Sequence, residues 1–115
     1  MGTSMYGIFQ KKTDLGWQDL QVKDSVLFNR DYHLFDLIQK NFEGVPEDFE
    51  TKGSDYGYGC ILTERHNGMY IGDFGHSCLT SDSIPEWAKD TDLGQMLQNY
   101  ADQFGLVRVV VGFDN

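Results

Sequence analysis

Leu106-Val107-Arg108-Val109-Val110-Val111-Gly112-Phe113 is the stretch whose reading decides the fold. Successive side chains of an extended chain point to opposite faces. Val107, Val109, Val111 and Phe113 therefore share one face, and Leu106, Arg108 and Val110 share the other. A strand apolar on both faces is normally covered on both, so this one is expected at the centre of a sheet with layers above and below it. The residues before it read as a helix. Leu93, Met96, Leu97, Tyr100, Ala101 and Phe104 recur at helical spacing. Asp90 or Thr91 can cap its start, Asp92 suits the positive end of its dipole, and Gly105 stands where a left-handed residue closes a helix.

Outward from this unit, Ser4 to Lys11 reads as a strand, Thr13 to Gly16 as a turn, and Trp17 to Val22 as a returning strand. Asn29 can cap a helix whose buried stripe is Leu34, Phe35, Ile38 and Phe42, with Leu37 at its margin and Gly44 at its end. Pro46 begins a short turn carrying Glu47, Asp48 and Glu50 toward water. Lys52 to Gly59, rich in Gly, Ser and Tyr, is expected to be a mobile loop. Tyr58 to His66 and Met69 to Phe74 flank Asn67-Gly68, a strong hairpin signal because a type I′ turn needs positive φ at both central positions. Gly72, Gly75 and Ser77 should loosen the chain, and Thr80 or Ser81 should cap a short helical segment holding Ile84, Pro85 and Trp87. The expectation is a single α+β domain over 1–115 in the order ββ-α-ββ-α-β, with an antiparallel sheet of about five strands and two main helices packed on it. Met5 is a candidate natural start, which would leave 1–4 outside the fold.

A length of 115 residues gives room for one substantial core and not for two. With 40% apolar and 14% aromatic residues, the chain has a globular rather than a disordered composition. No apolar run approaches the roughly 20 residues of a membrane span, and no secretory signal opens the sequence, so a cytoplasmic protein is expected. In that compartment Cys60 and Cys78 are reduced by default. Eighteen acidic against nine basic residues give a net charge of −9. Such a surface repels nucleic acid and anionic membrane and attracts a basic protein. Glu43, Glu47, Asp48, Glu50 and Asp55 form the stretch expected to face that partner.

Residues capable of chemistry are few. Cys60, His66, His76 and Cys78 offer two thiols and two imidazoles, the donor types tetrahedral zinc takes. Their spacing, C-x5-H and H-x-C, lacks a zinc knuckle, so a buried thiol and surface imidazoles are the simpler reading and neither metal nor other cofactor is expected. Ser77 or Cys78 could be drawn as a nucleophile with His76 or His66 as base and Asp73 or Asp114 behind it. Neighbours on a strand point apart, however, and no G-x-S-x-G elbow surrounds the serine, so the chain is not expected to be an enzyme. Arg108 among valines needs a partner, for which Asp19, Asp36, Asp73 and Asp114 are candidates. A second functional expectation is a pocket for a small anion such as a nucleotide, or a hydrolytic site, where His76, Ser77, Arg108, Asp114 and Asn115 converge.

Several fragments together carry a family resemblance. Arg30-Asp31-Tyr32-His33-Leu34-Phe35 resembles an R-x-Y-x-L-F helix start, and Gly44-Val45-Pro46-Glu47-Asp48 a G-L-P-x-D turn. His76-Ser77-Cys78-Leu79-Thr80 resembles H-S-x-L-T, and Val107 to Asn115 a terminal V-R-[IV]-V-x-x-F-D-N. In this order they are similar to a group of small uncharacterised proteins of tailed bacteriophages. The family's H-S-H-S-W-L-T segment departs here, with Phe74 in place of the first histidine and Cys78 in place of the Trp, so no two-histidine site is implied. The resemblance implies a phage-encoded accessory protein of the host cytoplasm that binds a host protein, including a component of antiviral defence. Its polar positions here are Arg30, Tyr32, Asp48, His76, Ser77, Thr80, Arg108, Asp114 and Asn115.

Overall fold

The computed structural model describes residues 3–20, 26–29, 31–41, 44–55 and 62–114. The final stretch behaves as its sequence demands. β8 (Val107–Asp114) is fully interior along Val107 to Phe113 and pairs antiparallel with β1 (Ser4–Thr13) on one side and β7 (Phe74–Thr80) on the other. β2 (Gly16–Asp19) and β3 (Val26–Asn29) both pair with β1, completing a five-stranded antiparallel sheet. A second sheet, β4 (Lys52–Asp55), β5 (Leu62–His66) and β6 (Met69–Tyr70), is a three-stranded antiparallel meander. With α1 (Tyr32–Asn41) and α2 (Asp92–Phe104), the chain is an α+β fold.

Each face of β8 is covered by different material. Val107, Val109, Val111 and Phe113 pack with Met5 and Phe9 of β1 beneath Leu34, Phe35 and Ile38 of α1 and Leu93 and Leu97 of α2. The opposite face carries Ile8 and Val110, covered by Phe49, Met69 and Ile71. Burying a side chain of this size contributes about 1.5–3 kcal/mol, so the helical face supplies most of the apolar cohesion.

Local signals explain the elements. Thr91 caps α2 by accepting from the Gly94 N–H at 3.1 Å, and its hydroxyl donates to Ala88 O at 2.6 Å. Gly94 cannot be larger there, because a Cβ would lie 1.9 Å from Ala88 O. Asn67 and Gly68 turn the β5–β6 hairpin with φ of 49° and 83°, as a type I′ turn requires.

The structure corrects several expectations. Asp31, not Asn29, caps α1, its Oδ1 accepting from the Leu34 N–H at 3.2 Å; Asn29 closes β3, a strand with no alternating signal of its own. β2 ends at Asp19, and β6 stops at Tyr70. Lys52–Asp55, expected in a mobile loop, is β4, while 56–61 lie outside the described residues. Residues 74–80, expected to be loose around their glycine and serine, form β7 on the edge of the main sheet. A bulge reconciles the two readings. Gly75, at φ 67°, lets three β7 steps match two on β8, where Phe74 pairs with Phe113 and Ser77 with Val111. The two short helical turns Ser81–Ser83 and Glu86–Ala88 follow, although Thr80 makes no side-chain cap there.

Candidate functional site

The face of the sheet opposite the helices is polar at one end. By strand alternation Gln10 and Lys12 of β1, Trp17 and Asp19 of β2 and Arg108 of β8 lie on it, and the pairings Gln10↔Arg108 and Gln10↔Asp19 put three of them side by side. Arg108 is 3% exposed. Its Nε donates to Gln10 Oε1 at 2.8 Å, its Nη1 to Asp48 Oδ1 at 2.9 Å, and its guanidinium carbon lies 4.2 Å from the Trp17 ring centre. Lys12 approaches the same indole, at 5.4 Å. The Arg108 Nη2 is the one buried side-chain nitrogen or oxygen without a hydrogen-bond partner among the described residues.

Gln10 passes the chain of bonds on, donating from Nε2 to Asp19 Oδ1 at 2.8 Å. Asp19 also accepts from Asn67 Nδ2 at 2.8 Å and holds His66 Nε2 at 2.8 and 2.9 Å. The other ring nitrogen of His66, Nδ1, faces Glu50 O at 2.6 Å. Phe49 stacks on the imidazole with ring centres 4.0 Å apart and planes 12° from parallel. The type I′ turn thus has a second consequence: it delivers His66 and Asn67 together to β2. Burial pushes the Asp19 carboxyl up, but hydrogen bonds from Gln10, Asn67 and His66, with the charge of His66, outweigh it and hold the group below its ordinary value. Asp48 is also held low, first by its hydrogen bond from Arg108.

These residues surround a groove of about 680 Å³, walled by the β1–β2 hairpin on one side and by Asp48, Glu50, His66 and Asn67 on the other. Leu15, at the hairpin tip, is fully exposed, as is much of Asp48. Glu47, Asp48 and Glu50 form an exposed acidic rim on the turn that Phe49 anchors, closed by the Phe49 N–H to Pro46 O bond at 3.0 Å. Both nitrogens of His66 are engaged, and the Thr13 hydroxyl donates to Gly16 O at 2.8 Å.

The pocket expected from His76, Ser77, Arg108 and Asp114 does not assemble. Arg108 and Asp114 stand at opposite ends of β8, roughly 20 Å apart at the rise of an extended strand. Ser77 pairs with Val111 and turns to the helical face, where it is buried and its hydroxyl donates to Gly75 O at 3.0 Å. His76 lies against Gly112 and donates from Nε2 to Gly72 O at 3.1 Å. Asp114 accepts from the Tyr6 hydroxyl at 3.0 Å, beside Tyr70, whose phenol is pushed up by burial and by the Asp73 carboxylate. Arg108 pairs with Asp48 rather than with Asp19, Asp36, Asp73 or Asp114. Asp19 lies one glutamine away because Gln10 separates β2 from β8. Asn115, Glu43 and Cys60 lie outside the described residues, as does the side chain of Asp55. Among the described residues no three His, Cys, Asp or Glu side chains gather for a metal: His66 is held by Asp19, His76 by Gly72, and Cys78 is a free, half-buried thiol pushed up to about 11 by burial.

Sequence reasoning missed Gln10, Trp17, Asn67 and Phe49, and assigned Asp19 and His66 other roles. One signal was available, the polar Gln10 inside an apolar β1, which needs a partner just as Arg108 does. No family model matches the chain, and searches of curated proteins and of solved structures find no match.

Proposed function

We propose that this chain acts by binding another protein, with the groove and its acidic rim as the docking face. The observation that carries the reading is the exposed Glu47-Asp48-Glu50 turn, fixed in place by Phe49 on His66 and by Asp48 on Arg108. Carboxylates on a fixed turn attract a basic surface without an ordering cost at the moment of binding. The net charge of −9 adds long-range attraction to the same class of partner. The fully exposed Leu15 across the groove supplies an apolar contact that a charged rim lacks. In the setting that the phage resemblance implies, the partner is a basic host protein of the cytoplasm, and antagonism of a host defence component is the finer form of this role. The anion-pocket alternative has less support, since Arg108 is enclosed and its expected companions lie elsewhere.

Immobilised protein should capture a basic protein from a bacterial lysate at low salt and release it as ionic strength rises, because exposed charges beyond about 10 Å are screened at 0.1 M salt. Capture that ignores salt, or no capture, counts against the reading.

A further inference from the structure

We propose that His66 is a proton-operated clamp on this groove, fixing the acidic turn while both ring nitrogens carry a proton and releasing it when one proton leaves. This inference concerns regulation of the site just described, and its bearing on docking rests on that reading; the clamp itself is a property of the free protein.

His66 Nδ1 faces a backbone carbonyl, Glu50 O, at 2.6 Å, and Nε2 faces the Asp19 carboxylate at 2.8 and 2.9 Å. Neither of these two partners has a proton to give, since the carbonyl has none and Asp19 is stabilised as a carboxylate by Gln10, Asn67 and His66. The Asn67 Nδ2 amide also lies 3.3 Å from Nε2, but its shorter bond, 2.8 Å, goes to Asp19 Oδ2. A neutral imidazole has one N–H and can fill one of these bonds; the imidazolium fills both. His66 is 5% exposed and lies flat against Phe49, so an unfilled position has little access to water and the ring has little room to turn away.

The surrounding charges decide which bond is lost. Asp19 approaches from β2; from β8, Arg108 acts one Gln10 amide away; from the turn come Asp48, paired with Arg108, and Glu50, whose backbone supplies the acceptor. Lys12 lies across the groove on Trp17. The full negative charge of Asp19 retains the Nε2 proton, so the proton that leaves is the one on Nδ1. The Nδ1 lone pair then faces the Glu50 carbonyl at the shortest contact of the network. Separation of that pair frees the 46–50 turn, loosens Phe49, and slackens the Asp48–Arg108 bond behind it. One proton thereby controls the order of the acidic rim.

The test is a titration of uniformly 15N-labelled protein from about pH 5 to pH 9, following the imidazole nitrogens and the backbone amides together. The His66 signals are assigned by their absence in His66→Gln. Both His66 nitrogens should be protonated at the acid end, and Nδ1 should lose its proton as pH rises. The amides of Glu47, Asp48, Phe49 and Glu50 should shift or broaden with the same midpoint, and in His66→Gln that response should vanish. Should His66→Gln fail to fold, Asp19→Asn serves instead: removing the carboxylate should move the midpoint to lower pH. A ring whose protonation does not change across the range, a change without a response at residues 47–50, or a midpoint unmoved by Asp19→Asn overturns the clamp. No partner protein is present, so a failure here leaves the docking reading standing, and a failure of lysate capture leaves the clamp standing.

Discussion

β8 has two faces, and they are held by different physics. Toward the helices, Val107, Val109, Val111 and Phe113 meet leucine, isoleucine and phenylalanine, and their attraction is non-directional and scales with the area removed from water. Toward the groove, Arg108, Gln10, Asp19 and His66 form a bonded series in which each member depends on the geometry of the next. A buried charged series is a poor device for stability, since desolvating its members offsets most of their attraction. Its effect is on shape. It fixes the β1–β2 hairpin, the 46–50 turn and the β5–β6 hairpin around one groove. One face makes the fold, and the other shapes a surface.

The largest break should come from the apolar face. Val109→Asp places an unpaired carboxylate at a position with no exposure, at a cost of several kcal/mol against the roughly 5–15 kcal/mol that holds a domain together. The variant should lose its cooperative thermal transition in circular dichroism. A soluble, cooperatively melting Val109→Asp protein would remove β8 from the centre of the sheet.

On the polar face the damage should be smaller and partly reversible by an apolar substitute. Arg108→Ala removes packing against Trp17 and strands the Gln10 acceptor, for an expected loss of about 2–4 kcal/mol in urea unfolding. Arg108→Met should recover the packing share of that loss but not the share due to Gln10, while Asp48, largely exposed, remains hydrated without its partner. Equal losses for Ala and Met would mean that the charge itself is essential to stability.

Acid should act on the polar face. Asp19 and Asp48 have folded-state values below the ordinary 3.8, so their contribution is fully present above that value and is lost as pH falls through the lower folded values. Thermal melts taken downward from about pH 5 should show falling stability, with a shallower slope in Asp19→Asn. An unchanged slope in that variant would separate Asp19 from the acid response.

The same division governs what the sequence revealed. Apolar alternation in Val107–Phe113 and helical spacing in Leu93–Phe104 are local patterns, and both made the fold legible. So was Asn67-Gly68, since its backbone demand is local too. The groove was not legible. Gln10, Asp19, Asp48, His66 and Arg108 are brought together by strand pairing and by the placing of a turn, and no spacing along the chain encodes those events. Arg108 announced its need for a carboxylate, but Asp48, the one it found, had been read as a solvent-facing acid of the partner surface. It is both: one oxygen accepts from Arg108 while the side chain stays 60% exposed. Ser77 misled because the bulge at Gly75 turns it to the helical face.

Docking on the polar face can be broken by reversing charge where the fold has no stake of its own. Glu47 and Glu50 are exposed on the rim. The double variant Glu47→Lys/Glu50→Lys should melt within about 0.5 kcal/mol of the parent, as surface substitutions generally do. Capture of the basic partner from lysate, measured beside the parent at the same low salt, should nevertheless be lost. A variant that folds as the parent does and still captures the same protein would contradict the account.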